Sequence, residues 1–351
     1  MICIMLYADH LGVMMNKSIK TALAALVLAA LVGLVPSPAL TMGFTPYGVF
    51  VAAAGALAIG WLSMQRIREA KRSHPHTDGP VAVIHKVHHL DLALFAIIPA
   101  FVCARLAYCL ARFSFYFVEM GPLSVLRTWE GGFMLYGAAL GALLGTALLA
   151  KRRGADVAAT LDEIACPGLL AVAVCRLGEF TAYEGVGAWI ENPALMRLPF
   201  AVCNEYGEWQ LAVFLWAAAA ALILLGCMLR VQAGRGERIL SALLLYACCQ
   251  VMLESLRMDS CLKIGFVRVS QVISAVVILG VTLMRARRNG GRAQMACRAV
   301  VVILLVALIG GIEWALDKTA TSNVLLYALM IAACAGFAVN GMRFEKRGLT
   351  D

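Results

Sequence analysis

Apolar runs about as long as a bilayer is thick recur along almost the whole chain, and a chain so patterned has few folds open to it. A helix needs about 20 apolar residues to cross the hydrocarbon core. Runs of that kind fall at 18–37, 45–64, 90–111, 132–150, 164–181, 209–229, 237–257, 268–285, 298–316 and 323–342. The run at 164–181 is the most interrupted, because Arg176 and Glu179 fall inside it. Hydrophobic residues make up 62% of the 351, well above the roughly 45–50% of a soluble domain. The expected fold is an all-α polytopic membrane helix bundle of about ten spans.

The net charge of +9 would suit nucleic acid or anionic lipid, and its distribution decides between readings. Basic residues cluster in short loops: Lys17 and Lys20, Arg66 to Arg72, Lys151 to Arg153, Arg230 to Arg238, Arg285 to Arg298, and Arg343 to Arg347. With ten spans counted, all these loops fall on one side, as the positive-inside rule requires. The other side carries chiefly Arg127, Arg197, Lys263 and Lys318. Both termini are then expected in the cytoplasm. Aromatics that stack bases are missing from the basic clusters, so no nucleic-acid partner is expected.

The N-terminal segment is open to two readings. Met14 or Met15 could start the chain, and the run ending at Pro36-Ser37-Pro38-Ala39 resembles a signal peptide. A retained anchor helix and cleavage near Ala39 both agree with the same topology. On the opposite side, the longest loops are expected at 112–131 and 182–208. Trp189, Tyr206 and Trp209 in the second are either headgroup-depth anchors or part of an amphipathic lid over a lateral lipid entrance.

Charged residues inside spans carry the functional signal. An arginine at mid-membrane costs about 2.5–3.5 kcal/mol even on lenient scales, so such residues usually face a bundle interior or a polar cavity. Arg176, Glu179 and Tyr183 recur at helical spacing and are expected on one helix face. Tyr246, Gln250, Glu254 and Arg257 step by four, four and three on another, and Arg105, Tyr108 and Arg112 do so on a third. All three polar ends are expected at one depth, near the outer surface. Guanidinium groups gathered there suit a phospholipid headgroup, because each can grip a phosphate with two parallel hydrogen bonds. The competing account makes Arg176–Glu179 and Glu254–Arg257 internal ion pairs that satisfy each other.

Other features have simpler accounts. Gly137, Gly141 and Gly145 have the small-xxx-small spacing of closely packed helices. Tyr136 is either a headgroup donor or an interfacial anchor. His85 and His89 stand at metal-ligand spacing, but a solvated cytoplasmic loop is the better reading. Asp91 reads as a helix-start acid. The 12 cysteines form no CxxC pair and read as small buried apolar residues. No metal and no soluble cofactor are expected.

At these residues the chain resembles the bacterial prolipoprotein diacylglyceryl transferases over about residues 44–288, seven of the ten spans. Tyr47-Gly48 opens the first core helix. Ala104 to Tyr108 is similar to the family's Gly-Arg-hydrophobic-Gly-Tyr segment, and Thr128-Trp129-Glu130-Gly131-Gly132 to the lead into its His-Gly-Gly helix. Arg176-Leu177-Gly178-Glu179-Phe180 with Glu184 and Gly187 is similar to the signature Arg-Leu-Gly-Asn-Phe-hydrophobic-Asn-x-Glu-x-x-Gly. Glu254 to Asp259 and Ser270-Gln271 with Ser274 resemble two further segments. The departures are specific. The family histidine falls on Tyr136, Gly137-Ala138 replaces Gly-Gly, and the signature asparagines fall on Glu179 and Ala182.

The resemblance divides the chain into an extra N-terminal segment 1–43, a core 44–288 and two extra C-terminal helices in 289–351. It implies transfer of the diacylglyceryl group of phosphatidylglycerol to the lipobox cysteine thiol of a secreted prolipoprotein, with glycerol phosphate released. Arg176 and Arg257 are then expected on the phosphate, with Glu184 and Glu254 orienting them. Tyr136 is expected in headgroup contact or proton transfer, with Glu179 or Glu184 as substitute base. Arg105 is expected as a secondary anionic contact, and Gln250, Glu179, Tyr183, Gly131 and Gly132 as further substrate contacts. Two alternatives stay open: a non-catalytic phospholipid-binding protein that keeps the fold, and a small-solute transporter, against which the missing inverted repeat counts.

Overall fold

A computed structural model describes residues 46–72, 87–128, 132–204, 206–231, 236–258, 263–264, 267–289, 292–318 and 323–342. The expected first span, His74, His76 and His85 lie outside the described residues. The chain divides into two compact units, residues 1–178 with 233–236, and residues 179–232 with 237–351.

The first unit holds α1 (Pro46–Arg72), α2 (His89–Ala111), α3 (Leu135–Arg152) and α4 (Val157–Gly178). Helix α2 starts where His88 accepts a hydrogen bond from Leu90 N at 3.4 Å. Asp91 lies in its first turn, where the helix dipole favours an acid, and it pairs with Arg153 at 2.8 Å. Helix α4 begins earlier than its apolar run suggested. The Asp156 carboxylate accepts from Ala158 N at 2.9 Å, which caps the helix ahead of that run. Two acids follow inside α4, and one of them, Asp162, is fully buried. Its Oδ2 accepts from Gly236 N at 3.2 Å, which ties the residues before α6 into this unit.

Helices α2 and α3 approach along the expected glycines. A Cβ on Gly137 would meet the Cys103 carbonyl oxygen and Ala107. On Gly141 or Gly145 it would fall onto the carbonyl of Pro99 or Phe95. Lipid tails are as apolar as leucine, so close backbone approach replaces the hydrophobic drive between helices. Gly178 does the same service for α1 and α4, since a Cβ there would meet Phe50 and Tyr47. Ile59, Leu62, Leu90, Leu92, Leu149 and Ile164 form this unit's apolar core.

The second unit holds α5 (Val213–Met228), α6 (Glu237–Leu256), α7 (Val269–Asn289), α8 (Arg292–Lys318) and α9 (Asn323–Met342). Of the α6 span 67% is buried, against 17% of the α8 span, so α6 is central and α8 faces outward. Ile312, Leu326 and Met330 of the last two helices pack on Met252 of α6. At one end of the unit Arg285 Nη2 donates to Ser241 Oγ at 2.6 Å and pairs with Glu237 at 3.0 Å.

Among the described residues six helices are long and apolar enough to cross a membrane, and Val213–Met228 and Leu325–Asn340 are shorter apolar helices. The expected outside loop 182–208 carries a short helix, Pro193–Met196, and two strands of a small sheet. Strands β1 (Val186–Trp189), β2 (Ala201–Cys203) and β3 (Trp209–Ala212) pair antiparallel in the order β1-β3-β2. Trp209–Ala212, expected as the start of a span, is its central strand. The three strands are at the short end of the usual range, so their alternation is hidden among aromatics that also suit an interface. A two-residue hairpin, β4 (Lys263–Ile264) with β5 (Val267–Arg268), leads into α7.

Gly145→Leu should lower stability by about 2–4 kcal/mol through backbone collision, whereas Gly168→Ala, with open space around its Cβ position, should be neutral. Thermal unfolding of the two variants in detergent checks this.

Candidate functional site

In the first unit Arg105 is 3% exposed and spends its guanidinium on main-chain carbonyls. Nε donates to Val125 O at 3.0 Å and Nη1 to Gly132 O at 3.3 Å. Nη2 donates to Ser124 O at 3.2 Å and to Arg127 O at 2.8 Å. Its charge lies 5.0 Å from the centre of the Tyr116 ring, within cation–π reach. This geometry is that of a clamp on the segment before α3. Gly132 belongs to the same clamp. Its φ is +75°, and a Cβ there would meet the Tyr108 ring and Arg105 Nη1. Gly131 lies outside the described residues.

Tyr136 is half-buried in the first turn of α3. Arg176 is 6% exposed in the last turn of α4, where a cation complements the helix dipole.

The second unit opens on a turn that breaks the expected helix face. Helix α4 stops at Gly178, and Glu179–Ala182 is a 3-10 turn. Tyr183 follows with φ +52°, a left-handed conformation uncommon outside glycine. Arg176, Glu179 and Tyr183 are therefore not three steps along one helix. Gly185 has φ +72°, and a Cβ there would meet Glu179 Oε2 and Phe214. Glu179 is 8% exposed. Phe180, Tyr183 and Glu184 are exposed and, with Val202 and Gln210, line a groove against the small sheet.

Arg257 also lies past its helix. Helix α6 ends at Leu256, and Arg257 forms an isolated antiparallel bridge with Gly187. The neighbouring Met258 N donates to Val186 O at 2.9 Å. A Cβ on Gly187 would meet Leu256 O, so the approach needs glycine. Arg257 Nη1 is 3.7 Å from Glu254 Oε1 and 3.9 Å from Glu179 Oε1. These are Coulombic distances, longer than the roughly 2.7–2.9 Å of a charge-assisted hydrogen bond. Gln250 Nε2 donates to Glu254 Oε1 at 2.6 Å, with both side chains buried.

Arg268 escaped the sequence reading. It is 7% exposed, its Nη2 donates to the Arg257 carbonyl, and its N–H donates to Gln271 Oε1 at 3.1 Å. Its position just before Ser270-Gln271 was the available signal. Among the described residues no three His, Cys, Asp or Glu side chains converge on a metal position.

Long apolar helices make this an all-α polytopic membrane protein, with buried arginines and carboxylates among its described residues. A family model of prolipoprotein diacylglyceryl transferases matches residues 39–286. The chain belongs to that family. It is 32% identical over 259 residues to a phosphatidylglycerol–prolipoprotein diacylglyceryl transferase of Bacillus velezensis, covering 71% of this chain and 89% of the relative. The Bacillus licheniformis protein of the same name is 32% identical over 260 residues, 70% of this chain and 89% of its own. That of Geobacillus kaustophilus is 31% identical over 258 residues, 71% and 90%.

Arg105→Lys should free the segment it clamps, because a lysine ammonium cannot span four carbonyls. The expected loss is about 1–3 kcal/mol, together with faster proteolysis between residues 121 and 132, read by peptide mapping.

Proposed function

We propose that this chain transfers the diacylglyceryl group of phosphatidylglycerol to the lipobox cysteine thiol of a prolipoprotein at the outer face of the bacterial plasma membrane. The observation that carries the reading is Arg257, pinned by the Gly187 bridge and framed by Glu254 and Glu179, in a chain of this family. In the reaction a carbon–sulfur bond forms at the glyceryl carbon and its carbon–oxygen bond to phosphate breaks. The thiol proton leaves, and glycerol phosphate carries away the electron pair.

Each assigned residue then has a physical task. Arg257, and Arg176 in the same role, stabilise negative charge growing on the departing phosphate. Glu254 holds Arg257, and Gln250 holds Glu254; Glu184 is assigned a share in orienting the arginines. Tyr136 contacts the headgroup or takes up the thiol proton, with Glu179 as the other acid near Arg257. The groove beside Tyr183 is assigned to substrate contact. The cysteine comes from the substrate: thiolate is the nucleophile, and about a tenth of a thiol of pKa near 8.5 is ionised near pH 7.5. General-base help is typically worth about 10²–10⁴-fold, so Tyr136→Phe measures how much of it this chain retains.

The test uses purified protein with labelled phosphatidylglycerol and a lipobox peptide. Label should reach the cysteine. Arg257→Ala and Arg176→Ala should each lower kcat by about 10²–10³-fold, and Arg257→Lys should fall between them and the parent. Lipid that co-purifies without transfer would instead favour a binding protein.

The basic loops further support a topology with both termini in the cytoplasm. A reporter active only outside the cytoplasm should stay silent when fused after Asp351 and become active when inserted at Tyr206; the reverse pattern overturns that topology.

A further inference from the structure

Glu313 stands on α8, beyond residue 286 where the family match ends. Its Oε1 accepts a hydrogen bond from Gln271 Nε2 at 2.6 Å. The same amide nitrogen donates to Val251 O at 3.2 Å. On its other side Gln271 Oε1 accepts from Arg268 N at 3.1 Å, and Arg268 Nη2 in turn donates to the carbonyl of Arg257. Gln271 and Arg268 are 4% and 7% exposed. A run of hydrogen bonds thus leads from an appended helix to the backbone of the arginine assigned to the phosphate.

Glu313 gives that nitrogen its shorter contact. An amide nitrogen donates, and both the Glu313 oxygen and Val251 O accept, so both hold Gln271 with its oxygen toward Arg268 N. With an apolar side chain at 313 the nitrogen keeps the 3.2 Å contact to Val251 O and loses the 2.6 Å one. Gln271 is then held less firmly, its hydrogen bond from Arg268 N loosens, and with it the residue whose guanidinium donates to the Arg257 carbonyl. Buried polar networks of this kind fail as units, because each member satisfies the next.

We propose that Glu313 is a positioning residue for Arg257, so that the C-terminal helices complete the transferase site. The proposal rests on the transferase reading above. Glu313→Leu is expected to lower kcat by about tenfold, with the KM for phosphatidylglycerol and the thermal midpoint near the parent values. Glu313→Gln keeps an acceptor of the same shape and should restore most of the rate. Amide exchange at Arg268, followed by mass spectrometry, should quicken by about tenfold in Glu313→Leu and stay slow in Glu313→Gln.

Transfer by Glu313→Leu at the parent rate overturns the proposal. So does a loss of rate that merely follows a lower thermal midpoint while exchange at Arg268 is unchanged. If the parent protein transfers no label, the transferase reading falls, and exchange at Arg268 still decides the relay: quickened in Glu313→Leu it stands, unchanged it is overturned.

Discussion

A guanidinium inside an apolar slab must find partners that replace water, and the polar architecture of this protein follows from that need. An unpaired buried ion costs several kcal/mol even after relaxation. The chain meets the need in three ways. Arg105 uses backbone carbonyls. Arg257 uses carboxylates at Coulombic distance. Arg285 uses a serine hydroxyl and a glutamate. The partners differ in kind: Arg105 ties down a loop through neutral carbonyls, whereas Arg257 faces the carboxylates of Glu254 and Glu179.

The missing side chain of glycine makes these placements possible. Gly187 lets the small sheet meet the end of α6, and Gly185 leaves room for the Glu179 carboxylate. In the other unit Gly137, Gly141 and Gly145 bring α2 and α3 together closely enough for backbone to touch backbone. Small residues at such contacts stand in for the hydrophobic drive that a lipid surrounding removes.

The helices were legible because their apolar runs exceed any plausible loop, and the last span matched from 323 to 342. Glu254 and Arg257 were legible as partners from their i, i+3 spacing. Spacing misled at Arg176, Glu179 and Tyr183, because a pattern of residue types does not reveal that a helix ends at Gly178. The small sheet was hidden for a related reason: strands of three or four residues carry too few positions to show alternation. The fate of Arg105 could not be read at all, since its partners are carbonyl groups that every residue possesses. Glu313 was invisible for want of any local motif joining it to Gln271.

The bridge between Gly187 and Arg257 also bears on biosynthesis. A ribosome delivers the Glu179 turn well before α6 has emerged, and α8 later still. The contact between Gly187 and Arg257 can therefore close only after α6 has been synthesised.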